Sequence, residues 1–187
     1  MHETLNLSVV VVVKNEEDHI EDALISINSS KPLPSEIIVI DGDSNDRTVE
    51  IAKKYTNKVF VIKNSNLTDD RQIGINKASN NLIAMVDADN RVTETTFSDM
   101  ISDLKKYNLD IVQASIFNPG ENFWGKAETE MLDLTTNIPG LKKMIGVAPN
   151  IYKKEIFEHI QFDSHITKTI DDTDFMYRLH KLKKYRL

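Results

Sequence analysis

Pairs of acidic side chains end two of the apolar runs in this sequence. Asp87 and Asp89 follow one run, and Asp41 and Asp43 follow another. Like charges placed this close repel each other, which costs stability unless a cation or hydrogen-bond donors compensate. Divalent ions such as Mg²⁺ are bound by oxygen ligands, commonly one or two carboxylates together with substrate phosphates. The Asp87/Asp89 pair therefore indicates a metal-assisted phosphate site.

Asp43 and Asp46 have a simpler interpretation than the other acids. They lie in the stretch DGDSND, whose composition is typical of a turn that leads into a helix cap. We assign these two residues to turn and cap, and we keep Asp41, Asp87 and Asp89 as candidate functional residues.

A third acidic cluster contains Asp171, Asp172 and Asp174 and precedes a segment with helical apolar spacing. Acids at a helix N-terminus complement the macrodipole and cap free N–H groups, which explains one or two of the three. The surplus acid could act as a general base, and the residues alone leave both roles open. Arg71 likewise fits either a surface ion pair or a guanidinium that faces phosphate.

The elements that must position these residues alternate regularly through the first half of the chain. Strands are predicted at 8–13, 37–40, 59–62, 82–86 and 111–116. Helices are predicted between them, with Asn15, Asp43 or Ser44, and Thr93 as caps and a short helix over 68–78. This alternation indicates an α/β fold with a mostly parallel sheet and helices on both faces. In such sheets ligands bind beyond the carboxyl ends of the strands, which is where the candidate acids lie.

The pattern loosens after about residue 117. We predict an amphipathic helix around 124–134, a strand over 146–152, a short helix over 153–159 and a helix over 169–182. We interpret 1–187 as a single domain, with a nucleotide-type half at about 1–117 and a half at about 118–187 that completes the site. The ending Tyr185-Arg186-Leu187 is typical of the start of another strand, so we expect a chain truncated at its C-terminus.

Composition narrows the function classes. The chain has 187 residues, of which 40% are hydrophobic and 28% charged, which suits one soluble globular domain. Its net charge of -6 argues against nucleic-acid binding. There is no cysteine, which excludes disulfides and Cys-ligated zinc and fits an intracellular setting. The run Val9–Val13 is too short for a signal sequence or a membrane span.

Four segments, taken in order, resemble the family 2 glycosyltransferases, which have the GT-A fold. The segments are SVVVVVKNEEDHIEDALISI (8–27), EIIVIDGDSNDRTVEIAKKY (36–55), DDRQIGINKASNNLIAMVDADN (69–90) and DDTDFMYRL (171–179). The resemblance implies a Rossmann-like, mostly parallel sheet and a smaller C-terminal acceptor-side portion. It also implies an inverting, hexosyltransferase-type enzyme of cell-envelope polysaccharide or glycan synthesis. The expected donor is a nucleoside-diphosphate sugar, with UDP-sugar favoured over GDP-mannose, and the acceptor is a hydroxyl.

The resemblance implies a nucleotide site at the ends of the first two strands. Val13, Lys14 and Glu16 take positions that hold the base and ribose in the family. Asp41 takes the position that contacts the base, and Arg71 that of a phosphate- or nucleotide-contacting arginine.

The resemblance also implies the chemistry of transfer. Asp87 and Asp89 are similar to the family's Asp-x-Asp motif, in which the first acid faces ribose or metal and the second ligates Mn²⁺ or Mg²⁺ on the diphosphate. Asp172 aligns with the acid of the Glu-Asp motif, the general base that deprotonates the acceptor hydroxyl.

Three positions depart from the family pattern. Lys14 stands where the family often has an aromatic residue, Gln72 where it commonly has Asn, and Asp171 where the Glu-Asp motif has Glu.

The expected partners are a nucleotide-sugar donor and a glycan or lipid-linked acceptor, with no nucleic acid. Peripheral membrane association and the oligomeric state are left open. The expected location is cytoplasmic, with the inner face of the cell membrane as an option.

Other functions compete with this interpretation. A haloacid-dehalogenase-type phosphohydrolase also has Asp-x-Asp after a strand, but Asn45 and Arg91 stand where that motif needs Thr or Val. A non-catalytic nucleotide-sugar-binding domain on the same fold is disfavoured by the intact Asp89 and Asp172. A nucleotidyltransferase would need a glycine-rich, basic triphosphate loop, which the sequence lacks.

Overall fold

The computed structural model describes residues 4–116, 149–166 and 171–187 and the isolated positions 126, 127, 130, 132, 138, 140 and 146. The strands in this part of the chain are β1 (Thr4–Val13), β2 (Leu33–Asp41), β3 (Lys58–Val61), β4 (Leu82–Asp87), β5 (Ile111–Gln113) and β6 (Asn150–Lys153). The helices are α1 (Ile20–Asn28), α2 (Thr48–Ala52), α3 (Leu67–Lys77), α4 (Thr96–Lys106) and α5 (Asp171–Lys181), and a 3₁₀ helix covers Lys154–Glu158. None of these helices has the length and apolar character that crossing a membrane requires.

The strands form one mixed sheet in the order β3-β2-β1-β4-β6-β5. β1 pairs in parallel with both β2 and β4, and β2 pairs in parallel with β3. β6 runs antiparallel to β4 and β5. The predicted mostly parallel α/β sheet is therefore confirmed. The strand order reverses between β1 and β4, which is the place where open α/β sheets bind ligands.

Alternating side chains of the central strands build a core on each face of the sheet. Val9 and Val11 point towards α1, α2 and α4, whereas Val10 points towards α3 and α5. The apolar residues predicted to face the sheet from α1 and α4 are all buried: Ile20, Ala23, Leu24, Ile27, Phe97, Met100, Ile101 and Leu104. Helices cover both faces, as the sequence predicts.

The predicted helix caps are wrong in three places. Asn15 has a φ of 56° and does not cap α1, which begins at Ile20 after His19. Neither Asp43 nor Ser44 caps α2, because the turn continues to Asp46, whose carboxylate accepts a hydrogen bond from the Thr48 backbone nitrogen at 3.0 Å.

The third wrong cap is Thr93, since α4 begins at Thr96 after Thr95. In each case the loop after a strand makes contacts of its own before the helix starts. The true helix start therefore lies several residues beyond the first residue of suitable type.

Strand bounds also differ from the predictions. β1 and β2 begin earlier because their first residues already pair, with Thr4 opposite Leu33. β5 is shorter than predicted. β6 begins at Asn150 and ends one residue beyond the predicted strand over 146–152, of which positions 147 and 148 lie outside the described residues. The predicted helix around 124–134 lies mostly outside the described residues. The division into two halves stays a prediction.

α3 packs directly against the sheet at one glycine, Gly74. A methyl group added at Gly74 would lie 2.3 Å from Cγ1 of Val10 and 3.3 Å from Cγ1 of Ile40. Contacts of 2.3 Å do not occur between carbon atoms, so only glycine permits this approach. The close packing fixes where the preceding turn of α3 lies, including Arg71.

A buried carboxylate stabilises the opposite end of the sheet. Glu36 forms an ion pair with Lys58 and accepts hydrogen bonds from Ser8 and from Ser79, whose backbone nitrogen and hydroxyl both lie at 2.7 Å. Burial raises the pKa of Glu36, but Lys58 and the hydrogen bonds outweigh burial and hold this pKa at about 2, below the ordinary 4.5. A lowered pKa in the folded state stabilises the protein above the unfolded-state value, and this contribution is lost as pH falls from 4.5 towards 2.

We expect Glu36→Gln to lower the free energy of unfolding at neutral pH by about 3 kcal/mol, since each pKa unit corresponds to about 1.4 kcal/mol. The variant should also lose much of the pH dependence of stability between pH 2 and 4.5. Urea denaturation at neutral pH measures the first effect, and urea denaturation at several pH values between 2 and 4.5 measures the second. Glu94→Gln is the control because Glu94 pairs with Lys31 at the surface, where it is 57% exposed, and should change stability little. Identical pH profiles for Glu36→Gln and wild type would contradict the assignment.

Candidate active site

Three neighbouring strands end at one edge of the sheet and bring the candidate residues together. In the register of the sheet, Val13 lies beside Asp41 and Val12 lies beside Asp87. The first turns of α3 and α5 reach the same region, because Arg71 contacts both Asp87 and Asp171. The strand-end rule thus predicts the location of the site from the sequence.

The turns after β1 and β2 are tied to each other. Asp41 is fully buried and accepts a hydrogen bond from the Ser44 backbone nitrogen at 2.9 Å. The Ser44 hydroxyl in turn accepts one from the Asn15 backbone nitrogen at 2.8 Å. The backbone nitrogen of Glu16 donates to the Thr48 hydroxyl, also at 2.8 Å. Asp41 is therefore held in a fixed place beside the turn that carries Lys14 and Glu16.

Asp70 is a member of this cluster that the sequence interpretation missed. It is 4% exposed and lies near Gly42, where an added methyl group would be 3.0 Å from its Oδ2. Burial raises the pKa of Asp70, and the nearby Asp69 and Asp41 add to this effect while Lys14 and a hydrogen bond from Ser65 oppose it. In the sequence, the feature that could have identified Asp70 as a candidate is its position next to Arg71.

Arg71 is the central cation of the site. Its side chain is 8% exposed, so the interpretation as a surface ion pair is wrong. Nη1 pairs with Asp171, and Nη2 lies 3.6 Å from Oδ1 of Asp87. The guanidinium carbon lies 5.9 Å from the centre of the Phe162 ring, within range of a cation–π interaction.

Asp87 and Asp89 occupy different surroundings. The side chain of Asp87 is 45% exposed and faces Arg71, whereas Asp89 is exposed and accepts a hydrogen bond from the Asn90 side chain at 3.2 Å. Partial burial of its carboxyl raises the pKa of Asp87, and Asp89 and Asp172 raise it further, although Arg71 opposes them. Within the described residues, Arg71 therefore offsets only part of the negative charge that Asp89 and Asp172 place near Asp87.

The negative charge and the carboxylate oxygens of Asp87 and Asp89 suit a divalent ion. Within the described residues, no group of three or more His, Cys, Asp or Glu side chains is arranged to hold a metal ion. Mg²⁺ needs fewer protein ligands when a substrate supplies phosphate oxygens. Two carboxylates at the end of β4 suit that arrangement, with Asp89 the more accessible of the pair.

The three acids at the start of α5 have three different environments. Asp171 is buried against Arg71, and Asp174 pairs with Arg178 at 2.6 Å one turn along the helix. Asp172 is half-buried, accepts a hydrogen bond from the Thr173 backbone nitrogen at 2.6 Å, and forms no ion pair with another described residue. Among the described residues, Asp172 is therefore the acid of this cluster that has no cationic partner, and it lies near enough to Asp87 to raise the pKa of that carboxyl.

The fold and the position of the site define the GT-A class of glycosyltransferase folds. The Staphylococcus aureus protein TarS in complex with UDP-GlcNAc superposes with a TM-score of 0.69 at 19% identity, covering 94% of this chain and 53% of that one. The mannosyltransferase PcManGT from Pyrobaculum calidifontis, in complex with GDP-Man and Mn²⁺, has a TM-score of 0.74 at 15% identity, with 97% and 53% covered.

The family model described as Glycosyl transferase family 2 matches residues 8–186, and the chain belongs to this family. A relative, the uncharacterized glycosyltransferase YibD of Escherichia coli (strain K12), is 28% identical over 148 residues, which are 75% of this chain and 43% of that protein. The chain thus spans less than half of the length of this relative. The expected fold and family are confirmed, which excludes the phosphohydrolase interpretation.

Proposed function

We propose that this chain carries the catalytic centre of an inverting, hexosyltransferase-type glycosyltransferase that uses a nucleoside-diphosphate sugar and a divalent metal ion. The observation that supports this best is the meeting of Asp87, Asp89, Arg71 and Asp172 at the strand-order switch point. One side of this site has the partly compensated acids that suit a metal-bound diphosphate. The other side has a carboxylate that is available as a base.

The nucleotide is assigned to the ends of β1 and β2. Asp41 would accept a hydrogen bond from the base, and Val13, Lys14 and Glu16 would line the base and ribose. Arg71 would lie on the phosphate side. UDP is favoured as the nucleotide, with support from the TarS complex with UDP-GlcNAc, and the PcManGT complex with GDP-Man makes GDP the second candidate.

The metal is assigned to Asp89, with Asp87 sharing the ion or facing the ribose. A bound Mn²⁺ or Mg²⁺ supplies Lewis-acid stabilisation of the charge on the departing diphosphate. Asp89 is suited to ligation because it is exposed and pairs with no cationic side chain in the described part of the chain. Asp87 is held by Arg71, which limits its range of positions.

Asp172 is assigned as the general base. Its carboxylate accepts the proton of the acceptor hydroxyl as the hydroxyl oxygen bonds to the anomeric carbon of the sugar. The bond between that carbon and the diphosphate oxygen breaks on the opposite face, so the configuration at the anomeric carbon inverts. Arg71 stays paired with Asp171 and therefore leaves Asp172 free to take the proton.

The acceptor is proposed to be a glycan or a lipid-linked sugar, and the site of action the cytoplasm or the inner face of the cell membrane. Support for a glycan comes from TarS, a poly(ribitol-phosphate) beta-N-acetylglucosaminyltransferase. It is 26% identical to this chain over 118 residues, which are 58% of this chain and 20% of TarS. A role in cell-envelope polysaccharide synthesis follows from this proposal.

Calorimetric titration with UDP, GDP, CDP and ADP, each with and without Mn²⁺, tests the proposed function. We expect UDP to bind, and Mn²⁺ to raise its affinity by about tenfold or more because the ion joins the diphosphate to Asp89. Failure of every nucleotide to bind in both conditions would exclude a nucleotide-sugar transferase. Binding of UDP without any turnover of UDP-sugars would instead favour the non-catalytic nucleotide-sugar-binding domain.

A further inference from the structure

We propose that Asp171 is a positioning residue, which ties the first turn of α5 to Arg71 and thereby holds Asp172 at a fixed place relative to Asp87. The role of Asp172 in this inference rests on the proposed function. The ion pair between Asp171 and Arg71, called the tie below, is present in the folded chain whatever its function.

The ion pair between Arg71 and Asp171 is buried on both sides. Each of the two side chains is only 8% exposed. Exposed ion pairs hold their partners weakly, whereas removing one partner of a buried pair leaves an uncompensated charge in the interior. Separating Asp171 from Arg71 is therefore energetically costly. The ion pair thus also restricts the position of the adjacent residue, Asp172.

Arg71 is a rigid anchor for this pair. Asn66 and Asp69 form a capping box that fixes the start of α3. Gly74, about one turn after Arg71, packs directly on Val10 of the central strand. The same guanidinium lies 3.6 Å from Asp87 through its other terminal nitrogen. One side chain thus connects the end of β4 with the start of α5.

The body of α5 is held by different contacts from its first turn. The Phe175 ring stacks on Phe162 with centres 4.5 Å apart, and Phe175, Met176 and Leu179 are all buried. These apolar contacts keep the helix on the sheet when the charge at Asp171 is removed. Loss of the ion pair should then loosen only the first turn, which contains Asp172.

A loosened first turn would affect catalysis more than donor binding. Displacing a catalytic group by about 1 Å can lower a rate by about a hundredfold. Apart from Arg71, which is anchored on α3, the residues assigned to the nucleotide and metal lie at the ends of β1, β2 and β4 or in the turns that follow them, and none lies on α5. The proposed signature is therefore a lowered kcat with an unchanged KM for the donor.

The test compares Asp171→Asn with Asp174→Asn. The two changes remove the same charge from the same helix turn, but Asp174 pairs with Arg178 on α5 itself and not with Arg71. For Asp171→Asn we expect the kcat for UDP release from a UDP-sugar in Mn²⁺ to fall by about tenfold to a hundredfold, with the donor KM within about threefold of wild type. Asp174→Asn should keep a near-wild-type kcat. Asp171→Glu restores the charge and should recover at least about a third of the wild-type kcat.

Hydrogen exchange of the free protein provides a second measurement that needs no turnover. The amides of Phe175 and Met176 are the first inside α5, and Asp171→Asn should raise their exchange rates by about tenfold relative to Asp174→Asn. Equal exchange rates in the two variants would overturn the tie. Equal kcat values in the two variants, or a loss of UDP affinity as large as the loss of kcat, would overturn the positioning role. A wild-type chain that binds none of the four nucleotides would overturn the proposed function, while the exchange comparison would still decide whether Asp171 holds the first turn of α5.

Discussion

Replacing Asp172 by asparagine is expected to lower sugar transfer by about a hundredfold to ten-thousandfold, the range typical of a lost general base. The affinity for UDP in Mn²⁺ should stay within about threefold of wild type, because the nucleotide is assigned to other elements. Asparagine has nearly the same shape and still accepts a hydrogen bond from the Thr173 backbone nitrogen. It cannot take the proton of an attacking hydroxyl.

The measurement is the rate of UDP release from a UDP-sugar, with UDP affinity determined by calorimetry on the same samples. Asp174→Asn is again the matched control, since it removes an acid from the same helix turn at a residue already neutralised by Arg178. Near-wild-type turnover by Asp172→Asn would remove Asp172 from the role of base. A parallel loss of UDP binding would show that Asp172 acts on the donor instead.

The fold was predictable because it depends on patterns that short segments contain in full. The β-branched run in β1 and the helical spacing in α1 and α4 each predict which residues are buried. These predictions need only the local sequence. The strand-end rule then locates Asp41 and Asp87 at one edge without knowledge of any side-chain contact. Register and burial agree with both expectations.

Contacts between distant segments were not predictable in the same way. Asn15 has the chemistry of a helix cap, but its side chain accepts a hydrogen bond from the backbone nitrogen of Asn45 in the next loop at 2.9 Å. Arg71 and Asp171 are far apart in sequence, and no local pattern distinguishes a buried acid from a helix-capping acid. The different environments of Asp171, Asp172 and Asp174 appear only once α3 and α5 are packed on the same face of the sheet.

The burial of Asp70 is a second feature that the local sequence does not predict. A polar residue in the first turn of a helix is unremarkable in a sequence, because such residues usually face solvent. Here the close approach of α3 to the sheet buries this carboxyl beside Gly42. Its raised pKa follows from that packing and from its acidic neighbours rather than from anything in the local sequence.

Replacing Asp89 by asparagine is expected to abolish most of the gain in UDP affinity that Mn²⁺ provides and to lower turnover by about a hundredfold or more. The neutral amide is a weaker ligand for a divalent ion than the carboxylate, so the ion would be held mainly by the diphosphate and Asp87. Affinity for UDP in the presence of a chelator should be unchanged, since the base and ribose are assigned to other residues.

Titrations of UDP with Mn²⁺, with Mg²⁺ and with chelator separate these effects for each variant. Asp43→Asn is the matched control because Asp43 is also an exposed acid at this edge of the sheet, and its φ of 63° is one that asparagine adopts readily. The control should keep the wild-type response to Mn²⁺. If Asp89→Asn keeps the same response, the negative charge at Asp89 does not hold the ion. The metal site would then have to be assigned to Asp87 and the diphosphate alone.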